Sequence, residues 1–425
     1  MSRILLIFPT STYRASAFMA ATVSLNIEPV IATDRKQVLA DLVPNTTLAL
    51  NLHKPVLAVN KIMKYAQAKP FSAIVGVDEE TVILAAMASK ALDLPHNPIA
   101  AVQATRDKFL MRQKLQTHGL LSPKFEKCQV DQDASIVAKK AGYPCVLKPI
   151  SLSASRGVIR ANTEDEFLIA FQMIRDLLSD PEIIRQSDNT QKHILVEDYI
   201  PGNEYAVEGV LIDGELKILA LFDKPDPLEG PYFAETIYVT PSKLSHKQQE
   251  KIFRTIGKAA KAIGLQRGPI HAELRLNENG VYVIEIANRT IGGYCSEVLK
   301  FSNGISLEDV VLMNAIGMDI SYIKRETQAA GVMMIPPPSA GIFQEVKSKD
   351  RALQVEGIES IIISIPIGQK VEVLPKSSRY LGFIFARGES PEFVENAIRE
   401  AYGELEILIQ PNGRTDAIPH SNANQ

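Results

Sequence analysis

The residues best placed to do chemistry together are two glutamates, Glu273 and Glu285, in the stretch from His271 to Arg289. Two apolar-rich runs, His271–Leu276 and Val281–Arg289, flank the polar turn Asn277-Glu278-Asn279-Gly280. That is the composition of a β-hairpin, with Gly280 as the residue that accepts a positive φ. With the turn centred on Asn279, Glu273 falls opposite Glu285. Alternation then puts His271, Glu273 and Arg275 on one face, with Val283, Glu285, Ala287 and Arg289 of the partner strand beside them. Two facing carboxylates repel, so a plain sheet gains nothing from them. A divalent cation between them removes the conflict, and hard oxygen ligands suit Mg²⁺ carrying nucleotide phosphates. The other reading is an exposed face on which Arg275 and Arg289 neutralise the acids.

A second group lies upstream. Tyr143-Pro144-Cys145-Val146-Leu147-Lys148-Pro149 is an apolar strand carrying one lysine. Such a lysine needs an anionic partner or must snorkel out, and a phosphate is a suitable partner. The loop Ser151-Leu152-Ser153-Ala154-Ser155-Arg156-Gly157-Val158 follows at once. Its small, hydroxyl-bearing residues let it close over phosphates with backbone N–H groups, although serine-rich loops are also ordinary loops. His193–Ile200 and Glu204–Val210 read as strands joined by the turn Pro201-Gly202-Asn203, and Asp213-Gly214 marks a further hairpin turn.

These residues need a frame. Arg3–Phe8 is a continuous apolar run, as in a buried parallel strand. A turn over Pro9–Arg14, a helix from about Ala15 to Leu25, and strands at Pro29–Ala32 and Ala73–Val77 follow. Asp78-Glu79-Glu80-Thr81 then opens an alanine-rich helix to about Leu92, where acids suit a helix N-terminus. The alternation implies an open α/β sheet, whose ligands bind at the carboxyl ends of strands, here the Thr10–Arg14 and Asp78-Glu79 turns. Helix capping is the other role open to Asp78 and Glu79. Neither GxGxxG nor GxxxxGK[ST] is present, so a dinucleotide fold or P-loop is not supported.

Thr105–Phe109 begins a helix that Gly119 ends. Amphipathic helices are expected at Gln248–Ile263 and Ser306–Ile316. From Gly331 the pattern turns to strands at Val332–Ile335, Ile358–Ile365, Val371–Val373, Tyr380–Ala386 and Glu404–Ile409. A helix over Pro391–Tyr402 has Phe393, Val394, Ala397, Ile398 and Ala401 on one face. The polar stretch 411–425 reads as a disordered tail.

A chain of 425 residues implies roughly two to four domains. Net charge is −3 with acids and bases mixed, so nothing suggests a nucleic-acid surface. Cys128, Cys145 and Cys295 are odd in number and scattered, which favours a reducing compartment over a disulfide framework. Arg3–Phe8 is too short for a signal-peptide core or a membrane span. A soluble cytoplasmic protein without membrane contact is expected.

Lys108, Lys148, the Ser151–Gly157 loop, the Glu197–Glu204 segment, Glu273 and Glu285 come in an order and at spacings that resemble the ATP-grasp superfamily, over about residues 1–410. The resemblance is strongest to the branch containing L-amino acid ligases, and weaker to phosphoribosylglycinamide synthetase and biotin carboxylase. It implies an N-terminal open parallel α/β domain (1–104) and an ATP-grasp domain (105–325). The latter has a lid at about 121–200 and an antiparallel-sheet nucleotide core at about 201–325. A small α+β C-terminal domain (326–410) completes it.

The resemblance also implies roles. Lys108 would meet the ATP phosphates, and Lys148 would bridge adenine and the α-phosphate. The loop with Ser153, Ser155 and Gly157 would cap the β- and γ-phosphates. Glu197 and the backbone of Asp198 to Ile200, including Tyr199, would hold the adenine edge, and Glu204 the ribose. Glu273 and Glu285 would bind Mg²⁺, or Mn²⁺ in its place, and Arg289 would stabilise the transferred phosphate. Two departures stand out. The phosphate loop keeps only Gly157 among serines, and the place of the family's third metal ligand holds Ala287, with Asn288 next to it on the other face.

The implied activity is ATP-dependent carboxylate–amine ligation through an acyl phosphate, releasing ADP and phosphate. The alternatives are another ATP-grasp ligation, or an ATP-binding module without turnover. The implied partners are a small carboxylate and a small amine, with homodimers common among relatives. Nearer the acceptor, His271 either contacts substrate and assists deprotonation of the amine or is a hydrogen-bonded structural histidine. Gly292-Gly293-Tyr294 forms either an anion nest with an aromatic wall for a carboxylate or a plain tight turn. Lys224 and Glu235 lie in a proline-containing loop that either borders the substrate or is solvated.

Overall fold

The computed structural model describes residues 1–36, 46–186, 190–377 and 379–411. The tail expected beyond Pro411 lies outside the described residues.

In the N-terminal part, strands and helices alternate: β1 (Arg3–Phe8), α1 (Ala15–Ser24), β2 (Glu28–Thr33), β3 (Thr47–Ala49), α2 (Pro55–Ala66), β4 (Ala73–Gly76) and α3 (Val82–Ala91). The four strands form a parallel sheet in the order β3-β2-β1-β4. β1 has a neighbour on each side and is buried along its whole length, which accounts for its unbroken apolar run. Asp78 and Glu79 do not cap α3. That helix starts at Val82 with no acid in its first turn, which frees both carboxylates for other partners. α4 (Ile99–Arg106) is separated from α5 (Lys108–Thr117) by Asp107 in extended conformation. The Asp107 carboxylate accepts from the Leu110 N–H at 2.9 Å, an N-cap that puts Lys108 at the first helical position.

A four-stranded antiparallel sheet in the order β5-β8-β6-β7 follows. It comprises β5 (Phe125–Gln129), β6 (Cys145–Pro149), β7 (Ile159–Ala161) and β8 (His193–Asp198), with α6 (Ala134–Ala138), α7 (Glu164–Leu178) and α8 (Pro181–Gln186) between strands. α7 buries Phe167, Ala170, Phe171 and Ile174 against this sheet, and its N-terminus carries Thr163 as cap and three acids in the first turn.

The rest is organised by one sheet of eight strands, ordered β13-β12-β9-β10-β11-β14-β18-β16. In chain order its parts and their helices are β9 (Asn203–Ile212), β10 (Glu215–Asp223), β11 (Ile237–Thr240), α9 (His246–Ile263), β12 (Gly268–Asn277), β13 (Gly280–Ala287), α10 (Leu307–Ala315) and β14 (Ala329–Ile335). Then come β15 (Gly341–Lys347), α11 (Lys349–Leu353), β16 (Ile358–Ile363), β17 (Lys370–Val371), β18 (Gly382–Gly388), α12 (Pro391–Glu404) and β19 (Glu406–Gln410). β14 pairs with β11, so the C-terminal strands extend the sheet that carries the hairpin. A second sheet, β17-β15-β19, stands apart. α9 buries Ile252, Ile256, Ala259, Ala260 and Ile263 against the even-numbered side chains of β12. The odd-numbered side chains of β12 are thereby directed to the opposite face. Among the described residues no helix is long and apolar enough to cross a membrane.

Candidate active site

The β12–β13 hairpin has the expected pairing: Glu273 and Glu285 are register partners. Its turn is Glu278-Asn279, with Gly280 at φ +146° and the Asn277 side chain accepting from the N–H groups of Asn279 and Gly280. Strict alternation fails just before Glu285. Leu274 pairs with Val283, so Ile284 is an extra, bulged residue. Val283 therefore packs in the core with Leu274 and Ile286 rather than joining the acids, while Ile284 and Glu285 both line the site.

The acids border a cavity of about 1330 Å³, counting its open mouth. At one end, Lys148 on β6 contacts Glu197 on β8 at 2.6 Å, and Arg112 on α5 contacts the same carboxylate at 2.6 and 3.3 Å. Arg112 is fully buried and also donates to the bulged Ile284 carbonyl at 2.7 Å. One carboxylate lies between two cations, leaving a net positive group. Burial pushes the Glu197 carboxyl up, but Arg112 and Lys148 prevail and hold it below its ordinary value. Burial pulls Lys148 down against the opposing pull of Glu197. Tyr199 and Ile200 line this end, with Arg160 and Arg275 over the Tyr199 ring at 4.0 and 5.1 Å. Glu197 lines the cavity, yet its carboxylate is taken up by Lys148 and Arg112. It acts on the cavity mainly through that lysine.

Ser153, Ala154 and Ser155 line the cavity beside Lys108. Ala154 and Ser155 both have positive φ, so the loop holds a backbone conformation more usual for glycine. Gly157 does not line it. Its N–H donates to the Pro375 carbonyl at 3.3 Å, and a Cβ there would meet Leu177 and Pro149 within 3 Å. The expected phosphate role of Gly157 is thus corrected to a tight packing turn. Lys108 reaches across from α5, donating to the Leu152 carbonyl at 2.8 Å and lying 3.4 Å from Glu285.

Arg289 leaves β13 and pairs with Glu79 at 2.7 Å. Although burial opposes it, Glu79 and Glu285 raise Arg289 further above its ordinary value. Glu79 comes from the carboxyl end of β4. From the end of β1, buried Arg14 donates to the Thr290 hydroxyl at 2.6 Å and to the carbonyls of Thr290 and Ile291. The N-terminal sheet thus grips the segment that carries Arg289.

At the other end, Glu204, Glu235 and Glu273 each present a carboxylate oxygen within 4.8 Å of the others. Lys224 lies against all three, at 2.8, 2.7 and 3.1 Å. It does not line the cavity: it is buried behind the acids, so the expected substrate contact is corrected to an internal counter-cation. Burial lowers it, but the three carboxylates raise it well above an ordinary lysine. Glu235 does face the cavity. The His271 Nδ1–H donates to the buried Glu208 carboxylate at 2.6 Å, and its Nε2 lies 3.5 Å from Glu273. Burial lowers His271, yet the two glutamates bring it up to about 9. Gly292 and Gly293 line this end, whereas Tyr294 does not. Its ring packs away against Tyr13, tilted at 4.4 Å, and edge-to-face on Phe383 at 4.9 Å. The aromatic walls are Tyr238, Phe233 and Tyr380.

The donor set fits a hard divalent cation. Glu273 and Glu285 face one another and both line the cavity, and all the oxygens are carboxylate. Ala287 lines the cavity without a donor, and Asn288 cannot replace it, because its amide oxygen accepts from Asn97 on the far side.

Residues 141–298 match the family described as ATP-grasp domain, and residues 333–410 match L-amino acid ligase C-terminal domain 2. The chain carries an ATP-grasp domain.

This ATP-grasp chain is similar to a crystal structure of an L-amino acid ligase from Bacillus licheniformis, with a TM-score of 0.78 and 25% identity over 96% of this chain and 99% of that one. It is 27% identical over 267 residues to alanine–anticapsin ligase of Bacillus subtilis (strain 168), covering 60% of this chain and 56% of that protein. It is 25% identical over 363 residues to dapdiamide A synthase of Enterobacter agglomerans, covering 80% and 81%. The chain spans about three fifths of the length of several curated relatives.

Within the ATP-grasp frame, four contributors escaped sequence reasoning. Arg112 had a usable signal, since it sits four residues after Lys108 on one helix face. Glu208 shares a strand face with Glu204 at even spacing, which was also legible. Glu79 reads in the sequence as a helix cap or a strand-end ligand, with no sign of its pairing to Arg289. Tyr380 arrives from a distant segment and carries no local signal.

Proposed function

We propose that this protein is an ATP-dependent carboxylate–amine ligase that joins amino acids or related small molecules through an acyl phosphate, releasing ADP and phosphate. The supporting observation is the order of charge along one cavity. Arg112, Glu197 and Lys148 leave positive charge in excess at one end. At the other, the carboxylates of Glu204, Glu208, Glu235 and Glu273 outnumber the cations Lys224, Arg275 and His271. A polyphosphate suits the first and cationic groups suit the second. The names of the relatives, a ligase and a synthase, point the same way.

In this reading residues 105–325 hold the nucleotide, and residues 1–104 and 326–410 close the cavity around the other substrates. Lys148 and Lys108 hold phosphates, and the loop with Ser153 and Ser155 covers them. Tyr199 and Ile200 border the adenine, and Glu204 lies toward the ribose. Glu273 and Glu285 would hold Mg²⁺, which when bound neutralises phosphate charge. A carboxylate is a poor electrophile with a poor leaving group. Transfer of the γ-phosphoryl to one carboxylate oxygen converts that oxygen into a leaving group. The amine then attacks the carbonyl carbon, and phosphate departs with the former carboxylate oxygen. Arg289, charged throughout the accessible pH range, stabilises the developing negative charge. His271 is held by Glu208 and bears on Glu273. It serves the site by orienting that acid from the cavity wall. The cavity walls exclude water, which would otherwise hydrolyse the acyl phosphate.

The test is ADP release with Mg²⁺ and a panel of amino acid pairs. Release that requires both a carboxylate and an amine is expected. Bicarbonate-dependent release, or tight ATP binding with no release for any pair, would contradict the proposal.

A further inference from the structure

Lys224 does not touch the cavity, yet three cavity-lining acids converge on it from three places in the chain. Glu204 stands near the start of β9, Glu235 just before β11, and Glu273 in the middle of β12. An ammonium has three N–H donors and no acceptor. Here each donor meets one carboxylate, at 2.8, 2.7 and 3.1 Å, and the Tyr238 ring lies 4.9 Å away. Three carboxylates with oxygens within 4.8 Å of one another repel strongly in a poorly hydrated place. Without a cation behind them they would be driven apart. The remaining contacts divide the work. The second Glu204 oxygen takes Arg275 at 3.1 Å. The Glu273 oxygen that meets Lys224 also lies 3.5 Å from His271. Glu273 is therefore fixed through one oxygen by two groups from behind.

We propose that Lys224 is a positioning residue: its ammonium fixes Glu273 for the divalent cation, and through Glu204 and Glu235 it ties that acid to both the nucleotide end and the acceptor end. This rests on the ligase reading for the presence of a metal–nucleotide complex.

Two effects oppose each other here, and the experiment separates them. Removing a positive charge beside a cation site should tighten cation binding, whereas losing the orientation of Glu273 should weaken it. Mn²⁺ and ADP are the probes, titrated calorimetrically into the full chain. In Lys224→Met the Mn²⁺ affinity of the ADP complex should fall about 10- to 100-fold, the cost usual for groups that orient metal ligands. ADP affinity in the presence of EDTA should change by less than about threefold, since the Lys148 end is untouched. Adding Glu235→Gln to Lys224→Met should recover part of the Mn²⁺ affinity by removing one repelling charge. Unchanged or tighter Mn²⁺ binding in a Lys224→Met protein of wild-type melting temperature overturns the proposal, as does an equal loss of metal-free ADP binding. Should Lys224→Met fail to fold, Lys224→Arg keeps the charge without the three-donor geometry. It should lose at least about threefold in Mn²⁺ affinity, and an unchanged value overturns the proposal. Wild-type protein that binds neither probe overturns the ligase reading and this proposal together, a pattern that neither variant alone produces.

Discussion

Two ionic clusters face each other across the cavity, and they are built on opposite arithmetic. Around Glu197, one carboxylate is shared by two cations, Arg112 and Lys148. Around Lys224, one cation is shared by three carboxylates. Around Lys224 the shared ion is the deepest member, whereas around Glu197 the deepest is Arg112 and the shared carboxylate lines the cavity beside Lys148. A bare Lys148–Glu197 pair would be neutral and would attract no anion. The buried Arg112 restores a unit of positive charge without itself lining the cavity. A bare trio of glutamates would fly apart, and Lys224 keeps it together; with Arg275 on Glu204 and His271 between Glu208 and Glu273, the acids stay in excess by one charge. Breaking a buried ion group by removing one member costs more than any single exposed pair, because the rest is left uncompensated. The two clusters should therefore fail in different ways.

The sharpest contrast comes from the strand partner of Glu273. Glu285→Gln should lower turnover by about a thousandfold or more while the melting temperature stays near wild type, because the lost charge acts on phosphate chemistry. Retained phosphate release would remove Glu285 from the metal site. Lys148→Ala should weaken ADP binding about 10- to 100-fold, the value of a charge-assisted contact in a dry site. Unchanged ADP affinity would show that the positive cluster does not meet the nucleotide. Arg112→Gln should reduce ADP affinity by roughly tenfold and destabilise the fold by about 3 kcal/mol. If stability falls and ADP affinity does not, Arg112 only supports the lid. Glu79→Gln should lower kcat about fivefold with little change in nucleotide affinity, since Glu79 reaches the chemistry only through Arg289. A change in ADP affinity alone would contradict that placement.

The smallest effect is in pH dependence. Glu197 sits below its ordinary value of 4.5 when folded. Its stabilisation is therefore complete above 4.5 and is lost as pH falls through the lower folded value. The melting-temperature gap between wild type and Glu197→Gln should be widest near neutral pH and should close in acid. A gap that stays constant down to the acid limb would show that the carboxylate is not held by its cations.

Much of the hairpin was legible, because alternation on β12 follows directly from a helix covering its even-numbered side chains. Legibility stopped at Ile284: one inserted residue reverses every later side chain, and nothing in Val283-Ile284-Glu285 announces it. The same local chemistry explains Gly157. Its residue type marks a special backbone, but whether that backbone serves a phosphate or a close packing contact depends on Pro149, Leu177 and Pro375. Lys224 was visible as a charge in a loop, yet the side from which it approaches the acids is set by strand pairing. Tyr380 and Tyr294 exchanged roles for a similar reason. Tyr294 follows the glycine pair directly but is carried to Tyr13 by its left-handed backbone, φ +54°, whereas Tyr380 enters from a segment joined only through β18.

The central claim, that a carboxylate is activated by phosphoryl transfer between these clusters, is most directly tested with ¹⁸O in the carboxylate substrate. In the acyl-phosphate route the oxygen that bonds phosphorus leaves with it, so each amide formed should deliver one labelled oxygen into the released inorganic phosphate, together with ADP. Amide formation with no label in the phosphate, or with AMP and pyrophosphate as products, would contradict it.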